Sequence, residues 1–526
     1  MLFMYNEERF YTGVIALFVK VNGIGLFGIN TYPVQVESSV ERTAMPRFDL
    51  VGLPDVAVRE AKERVRAAMK NSDFFFPTAR ITMNLSPADK KKEGTGFDLP
   101  ILVALLLLTN QLHADVQNSV FIGELSLSGY VRKIDGVLPM VIEAKQCGFK
   151  EVYVPLDNIA ESAIIEGIDV YPVSSVKQLV DHLTGRKRIE KAKSDLVKPR
   201  FDMERVMVDF SDVKGQFQVK RALEVAAAGG HNTLMIGPPG SGKSMLAKRI
   251  PTILPDMTQE ESLETTKLYS ISGLLDNGHS LVTQRPFRSP HHTISAVGLS
   301  GGGTVPHPGE LSLAHNGVLF LDELPEFPRQ TMEALRQPIE DGRITITRVS
   351  GALTYPCEVM LVCAMNPCPC GYFGHPTKKC TCAPGVPAKY LSKVSGPLLD
   401  RLDIHIEVPQ VDFEKLSSNV TSESSAEIRK RVNAARAIQQ KRFAGTETSC
   451  NAKMSPRQTR EFCEIGETGK AILQRSFDTL GLSARAYDKI LRVARTIADL
   501  DGSERIETEH LTEALQYRAL DRKFWK

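Results

Sequence analysis

The run "GPPGSGKS" combines backbone-exposing glycines with one cation and one hydroxyl. Gly237, Pro238, Pro239, Gly240, Ser241, Gly242, Lys243 and Ser244 fit the G-x-x-x-x-G-K-[ST] pattern, in which loop N–H groups close around phosphates. In that chemistry Lys243 reaches the β/γ oxygens and the Ser244 hydroxyl holds Mg²⁺. Further on, "GVLFLDELPEF" ends an apolar run in Asp322 and Glu323. A carboxylate there can hold the same Mg²⁺ and its neighbour can activate an attacking water. Surface acids after a strand would not account for the phosphate loop upstream, so the pair of motifs implies nucleoside triphosphate hydrolysis with ATP and Mg²⁺.

Three other clusters could carry chemistry. "CPCGYFGHPTKKCTC" supplies Cys368, Cys370, Cys380 and Cys382, which could bind Zn²⁺ tetrahedrally. The C-x-C spacing is tighter than usual, and free buried thiols or reversible disulfides remain alternatives. "KKKEGTGFDLP" places Lys90, Lys91 and Lys92 in a loop before the apolar run "ILVALLLL". It lacks a phosphate-loop pattern and reads as a basic surface able to meet nucleic acid. His291 and His292 lie in a Gly/Ser-rich insert and read as polar loop rather than metal ligands.

The elements that must position these groups follow from hydrophobic patterning. "NTLMI" reads as the strand feeding the phosphate loop, "GVLFL" and "EVMLVCAM" as further buried strands, and "FDLVGLP", "ITMNLSP" and "FKEVYVP" as strands nearer the start. "DVAVREAKERVRAAMKN" reads as an amphipathic helix. "SARAYDKILRVARTIADL" reads as a helix capped by Ser483, with Tyr487, Leu491, Ala494 and Ile497 on one face, and "TEHLTEALQYR" as a helix capped by Thr508. "GRKRIEKAKSDLVKPR" is basic and aperiodic, as a linker would be. The chain of 526 residues is ordinary in composition, with 42% hydrophobic and 24% charged residues, so a nucleic-acid reading must rest on local patches and not on the net charge of +3. The longest apolar run is too short for a membrane helix, no secretory signal is evident, and nine cysteines without one fit the cytoplasm.

Two sets of motifs carry a family resemblance. The phosphate loop, Asp322 and Glu323, Asn366 after "EVMLVCAM", Arg401 in "GPLLDRLD" and Arg485 in "GLSARAYD" resemble the AAA+ order of Walker motifs, sensor 1, arginine finger and sensor 2. "VKGQ", with Gly215 and Gln216, is similar to the adenine-side motif of that class. "RSPHHTISAVGLSGGGTVPHPGELSLAHNGVLFLDE" and the hairpin-like "GRITITRVSGALTYP" resemble the magnesium-chelatase branch, where such hairpins enter a ring pore. Arg343 and Arg348 then become candidate DNA contacts, with a solvated strand face as the equal alternative. The earlier part resembles a Lon-protease-type domain, but Gly96 stands at the nucleophile position and Leu138 at the lysine position, and Thr95 has no base in the matching place.

The full order resembles the YifB/ComM family along almost the whole chain. The resemblance implies an α/β protein: an AAA+ P-loop core with a helical lid, preceded by an S5-like, Lon-protease-like α+β domain. Its divisions are an N-terminal extension at 1–16, the Lon-like and proteolytically inactive domain at 17–184, a basic linker at 185–205, the AAA+ core at 206–412 and the lid at 413–526. It also implies a homo-hexameric ATPase that moves branched or single-stranded DNA without sequence preference and has no membrane partner. A chelatase-like motor acting on a protein or porphyrin partner, and an ATP-dependent protease, are the competing readings.

Overall fold

The computed structural model describes residues 18–41, 46–192, 208–275, 281–303, 306–348, 351–411, 422–480, 483–520 and 524. The expected extension at 1–16 and the part of the linker beyond 192 lie outside the described residues. The chain forms two compact units, residues 1–200 with 266–282, and residues 201–265 with 283–526. The return of 266–282 to the first unit was not legible in the sequence.

The first unit is built on a mixed sheet of seven strands in the order Arg47–Val51, Arg80–Ser86, Asn30–Glu41, Phe18–Phe27, Ser119–Phe121, Glu151–Pro155 and Asp169–Val173. Alternation sets its faces: in Arg80–Ser86 the side chains of Ile81, Met83 and Leu85 are buried and their neighbours are not. The helix Val56–Asn71 starts where Asp55 accepts a hydrogen bond from Val58 N at 2.7 Å, and it buries Val58, Ala61, Val65, Ala68 and Met69. The helix Asp98–Leu108 is apolar on every side and is buried on nearly every side. Its one acid, Asp98, is tolerated there because the Arg64 guanidinium donates to it twice, at 2.6 and 2.8 Å, and Leu125 N at 3.1 Å. Ile189, inside the expected linker at 185–205, is buried in this core.

The second unit carries a five-stranded parallel sheet in the order Phe287–Arg288, Gly317–Leu321, Val359–Met365, Thr233–Ile236, Ile404–Glu407. Its inner strands are buried along their whole length, because helices cover both faces of a parallel sheet. Val359–Met365 lies between the strand that leads to the phosphate loop and the strand that leads to Asp322. Three neighbouring inner strands thus end side by side at the C-terminal end of the parallel sheet.

Two helix readings need correction. In Ala484–Leu500 the buried stripe runs through Ala486, Ile490, Val493 and Ile497, with Leu491 and Ala494 beside it. At the first turn this stripe passes one position before Tyr487, whose side chain is exposed. Ser483 does cap that helix, accepting from Ala486 N at 3.2 Å. In the next helix, Thr508–Gln516, the cap is Glu507 and not Thr508; the Glu507 N–H donates to His510 Nδ1 at 3.0 Å, which closes the first turn.

Candidate functional site

The strand Thr233–Ile236 delivers the chain into the loop from Gly237 to Gly242, and the helix Lys243–Arg249 follows. A side chain at Gly237 would put its Cβ 2.2 Å from the Val408 carbonyl oxygen, so only glycine fits beside the neighbouring strand. Gly240 and Gly242 have φ of +72° and +89°, the left-handed turn that aims loop N–H groups inward. The Lys243 ammonium folds back over the loop and donates to Gly237 O at 2.8 Å, Pro238 O at 2.9 Å and Asn366 Oδ1 at 3.1 Å. Burial pulls its pKa down, and Asp322 works against that shift.

Ser244 Oγ donates to Asp322 Oδ2 at 2.5 Å, which brings together the hydroxyl and carboxylate expected to share a Mg²⁺. Glu323 adopts a left-handed backbone at φ 54° at the turn that ends the strand. Its Oε2 lies 3.4 Å from His292 Nδ1, and the His292 ring lies 4.1 Å from the His291 ring, tilted 34° to it. The sequence reading places His292 in a polar loop; the one signal it carries is the pair of histidines ahead of the acidic strand end. Gln216, at φ 53°, donates through Nε2 to Ser241 O at 2.8 Å and Pro409 O at 3.1 Å. Its Oε1 is buried with no donor among the described residues, an open acceptor beside the loop. Gly215 precedes it in a left-handed turn. The phosphate loop with Lys243, the serine–aspartate pair and this open acceptor fit ATP and Mg²⁺.

Arg401 and Arg485 are brought to each other and not to this loop. Both line a cleft of about 1080 Å³ together with Glu340, Asp403, Lys489 and Arg492. Arg401 is held within the chain, donating to Arg336 O at 2.8 Å and Pro397 O at 2.7 Å and pairing with Glu340 at 2.8 Å. Arg485 is exposed.

The cysteine quartet converges. The Sγ atoms of Cys368, Cys370 and Cys380 are 3.3, 3.4 and 3.7 Å apart, and Cys382 Sγ lies within 4.8 Å of them all. Burial pushes the Cys368 thiol up to about 12, while the Tyr372 N–H chiefly draws Cys370 down to about 5.

The hairpin forms as expected, Arg343–Arg348 pairing antiparallel with Gly351–Pro356. Arg343 is exposed; the Arg348 side chain lies outside the described residues. The basic loop needs correction at Lys92, which has no exposed surface because its ammonium donates to the carbonyls of Pro87 and of Lys90. Lys91 pairs with Glu93 at 2.7 Å, and Lys90 lies over the Tyr32 ring. In the Lon-like region Leu138 is fully buried, and its N–H donates to the buried Glu161, which also accepts from Asn158 and Ser270. Burial raises the Glu161 pKa.

Residues 209–416 match the family described as magnesium chelatase, subunit ChlI; residues 36–158 match subunit ChlI of Mg-chelatase, and 422–518 its C-terminal part. YifB of Escherichia coli strain K12 is 43% identical over 498 residues, covering 94% of this chain and 96% of its own. The chain belongs to the YifB/ComM family of magnesium-chelatase-like AAA+ proteins. The competence protein ComM of Haemophilus influenzae is 42% identical over 486 residues, 91% of this chain and 94% of its own. Lon protease 2 of Bacillus subtilis is 28% identical over 181 residues, 31% of this chain and 32% of its own. Membership implies ATP and Mg²⁺ as cofactors and ATP hydrolysis as the reaction. Among the described residues no helix is long and apolar enough to cross a membrane.

Proposed function

We propose that this chain is an ATP-driven, ring-forming motor that moves DNA, acting in branch migration or DNA uptake. The observation that carries the reading is the separation of the site into two parts. Lys243, Ser244, Asp322 and Asn366 gather on the phosphate loop, with Glu323 next in the chain to Asp322, whereas Arg401 and Arg485 line a different cleft. A neighbouring copy that brings its Arg401–Arg485 cleft to this loop would complete the charge around the γ-phosphate, and repetition of that contact closes a ring. A hexamer is the size we propose.

At the loop, Lys243 holds and neutralises the terminal phosphates, and Asn366 keeps its ammonium aimed there. Mg²⁺, when bound through Ser244 and Asp322, supplies further neutralisation of the phosphate charge. Glu323 accepts the proton of the attacking water. Gln216, through its open Oε1, recognises a donor on the base side.

DNA as the substrate is supported by the name of the Haemophilus influenzae relative, a competence protein, and by the exposed Arg343 at the base of the hairpin. Arg348 near the hairpin tip, with Lys90 and Lys91, would add phosphate contacts; Lys92 is withdrawn from that set. The Lon-like unit acts as a scaffold without proteolysis. We further propose one Zn²⁺ on Cys368, Cys370, Cys380 and Cys382. The deciding experiment is ATP turnover with single-stranded, duplex and four-way-junction DNA. Stimulation lost as salt rises is expected, because phosphate contacts release counterions. If no DNA binds at low salt or alters turnover, the chelatase-like reading, a motor working on a protein or porphyrin partner, takes its place.

A further inference from the structure

We propose that zinc on the cysteine quartet is a clip that braces the phosphate loop, so that metal loading sets the affinity for nucleotide. The inference rests on the zinc reading above. Residues 366–385, between the strand Val359–Met365 and the helix Val386–Leu391, form neither helix nor strand. A connection of that length inside a packed unit has little of its own to hold a shape. Four thiolates at Zn–S distances of about 2.3 Å stand about 3.8 Å apart in a tetrahedron. The Sγ separations of 3.3, 3.4 and 3.7 Å are already close to that figure, and the Phe373 N–H points at Cys368 Sγ from 3.3 Å. Soft sulfur donors favour zinc over magnesium, so the Mg²⁺ that accompanies ATP does not compete.

The clipped loop rests on the phosphate loop. A Cβ at Gly371, between Cys370 and Tyr372, would fall 2.2 Å from Pro239 Cδ, so the Gly371 backbone packs directly on the Pro239 ring with no room for a side chain. Gln410 Nε2 donates to Pro239 O at 3.1 Å, and Lys378, from the same cysteine loop, donates to Gln410 Oε1 at 3.5 Å. One open cleft of about 740 Å³ is lined by Gly237 and Pro238 on one side and by Gly371, Phe373 and His375 on the other. Release of the metal frees this wall. The phosphate loop then loses its outer support at Pro239 and must be ordered at the expense of nucleotide binding.

The test uses the full chain purified without chelator. Zinc per chain is measured first, and a fluorescent ATP analogue is then titrated in excess Mg²⁺ before stripping with a zinc-selective chelator, after stripping, and after zinc is returned. We expect one zinc per chain and a loss of affinity of about tenfold, restored by zinc, because a preorganised loop is replaced by a mobile one. Gly371→Ala, which keeps all four thiols, should retain zinc and still bind the analogue more weakly. Zinc present with unchanged affinity after its removal, or a loss that zinc does not restore, overturns the clip. Absence of zinc, with four titratable thiols in the loop, overturns the zinc reading itself and the clip with it.

Discussion

Asp403 offers a sharp test of how the second unit is held around its arginine cleft. Its Oδ1 pairs with Lys489 Nζ at 2.6 Å, while Oδ2 accepts from Asn232 N at 3.2 Å and lies 3.3 Å from His231 Nδ1. His231 in turn contacts Thr496 Oγ1 at 2.8 Å, so one carboxylate ties the entry of the phosphate-loop strand to the helix that carries Arg485. Asp403 is 8% exposed and the Lys489 side chain 16%, so removing the acid leaves a largely desolvated ammonium without its counter-charge. Breaking a buried pair costs about 3–5 kcal/mol, and we expect Asp403→Ala to lose about 4 kcal/mol. Asp403→Asn keeps an acceptor and should lose less. Combined with Lys489→Met, which removes the stranded charge, Asp403→Asn should recover about 2 kcal/mol of the summed cost. Urea unfolding followed by far-ultraviolet circular dichroism reads these differences. Burial would raise this carboxyl, but Lys489 and His231 outweigh it and hold it well below the usual carboxylate range. Its contribution is therefore complete above the unfolded pKa of about 4 and is lost only as pH falls toward the folded value. A cost under about 1 kcal/mol for Asp403→Ala, or strict additivity in the double variant, would refute the reasoning.

Four further outcomes are expected. Glu323→Gln should bind ATP normally and hydrolyse it about 10²–10⁴-fold more slowly, checked by nucleotide titration and phosphate release; near-normal turnover would remove the proton-accepting role. Lys92→Ala should destabilise the first unit by about 1–3 kcal/mol, because two carbonyls lose their donor, and leave the salt slope of DNA binding unchanged. A shallower slope would return Lys92 to the DNA path. Casein should remain uncleaved with or without ATP; cleavage that vanishes in Thr95→Ala would restore the protease reading. Arg401→Ala subunits mixed into wild-type protein should depress ATP turnover more than in proportion, whereas strictly proportional loss would count against a shared site.

The sequence by itself determined the chemistry that depends on local order. "GPPGSGKS" after "NTLMI" and before a helix had one workable reading, because glycine positions, a lysine and a hydroxyl at fixed spacing are what a phosphate cradle requires. Strand and helix positions were equally legible where burial follows period, as at Arg80–Ser86 and Asp98–Leu108. What sequence order could not show was which distant groups meet. Lys92 looked like its two neighbours, and only the fold decided that its ammonium turns inward to two carbonyls. His292 meets Glu323, and the cysteine loop meets Pro239, through strand order and loop packing that no local pattern encodes. Arg401 and Arg485 share a cleft although they lie far apart in the chain, and that cleft borders the start of the parallel strands whose far end carries the phosphate loop. Local spacing fixes what a residue can do; contacts at long sequence separation, set by how the strands order and pack, decide what it does it to.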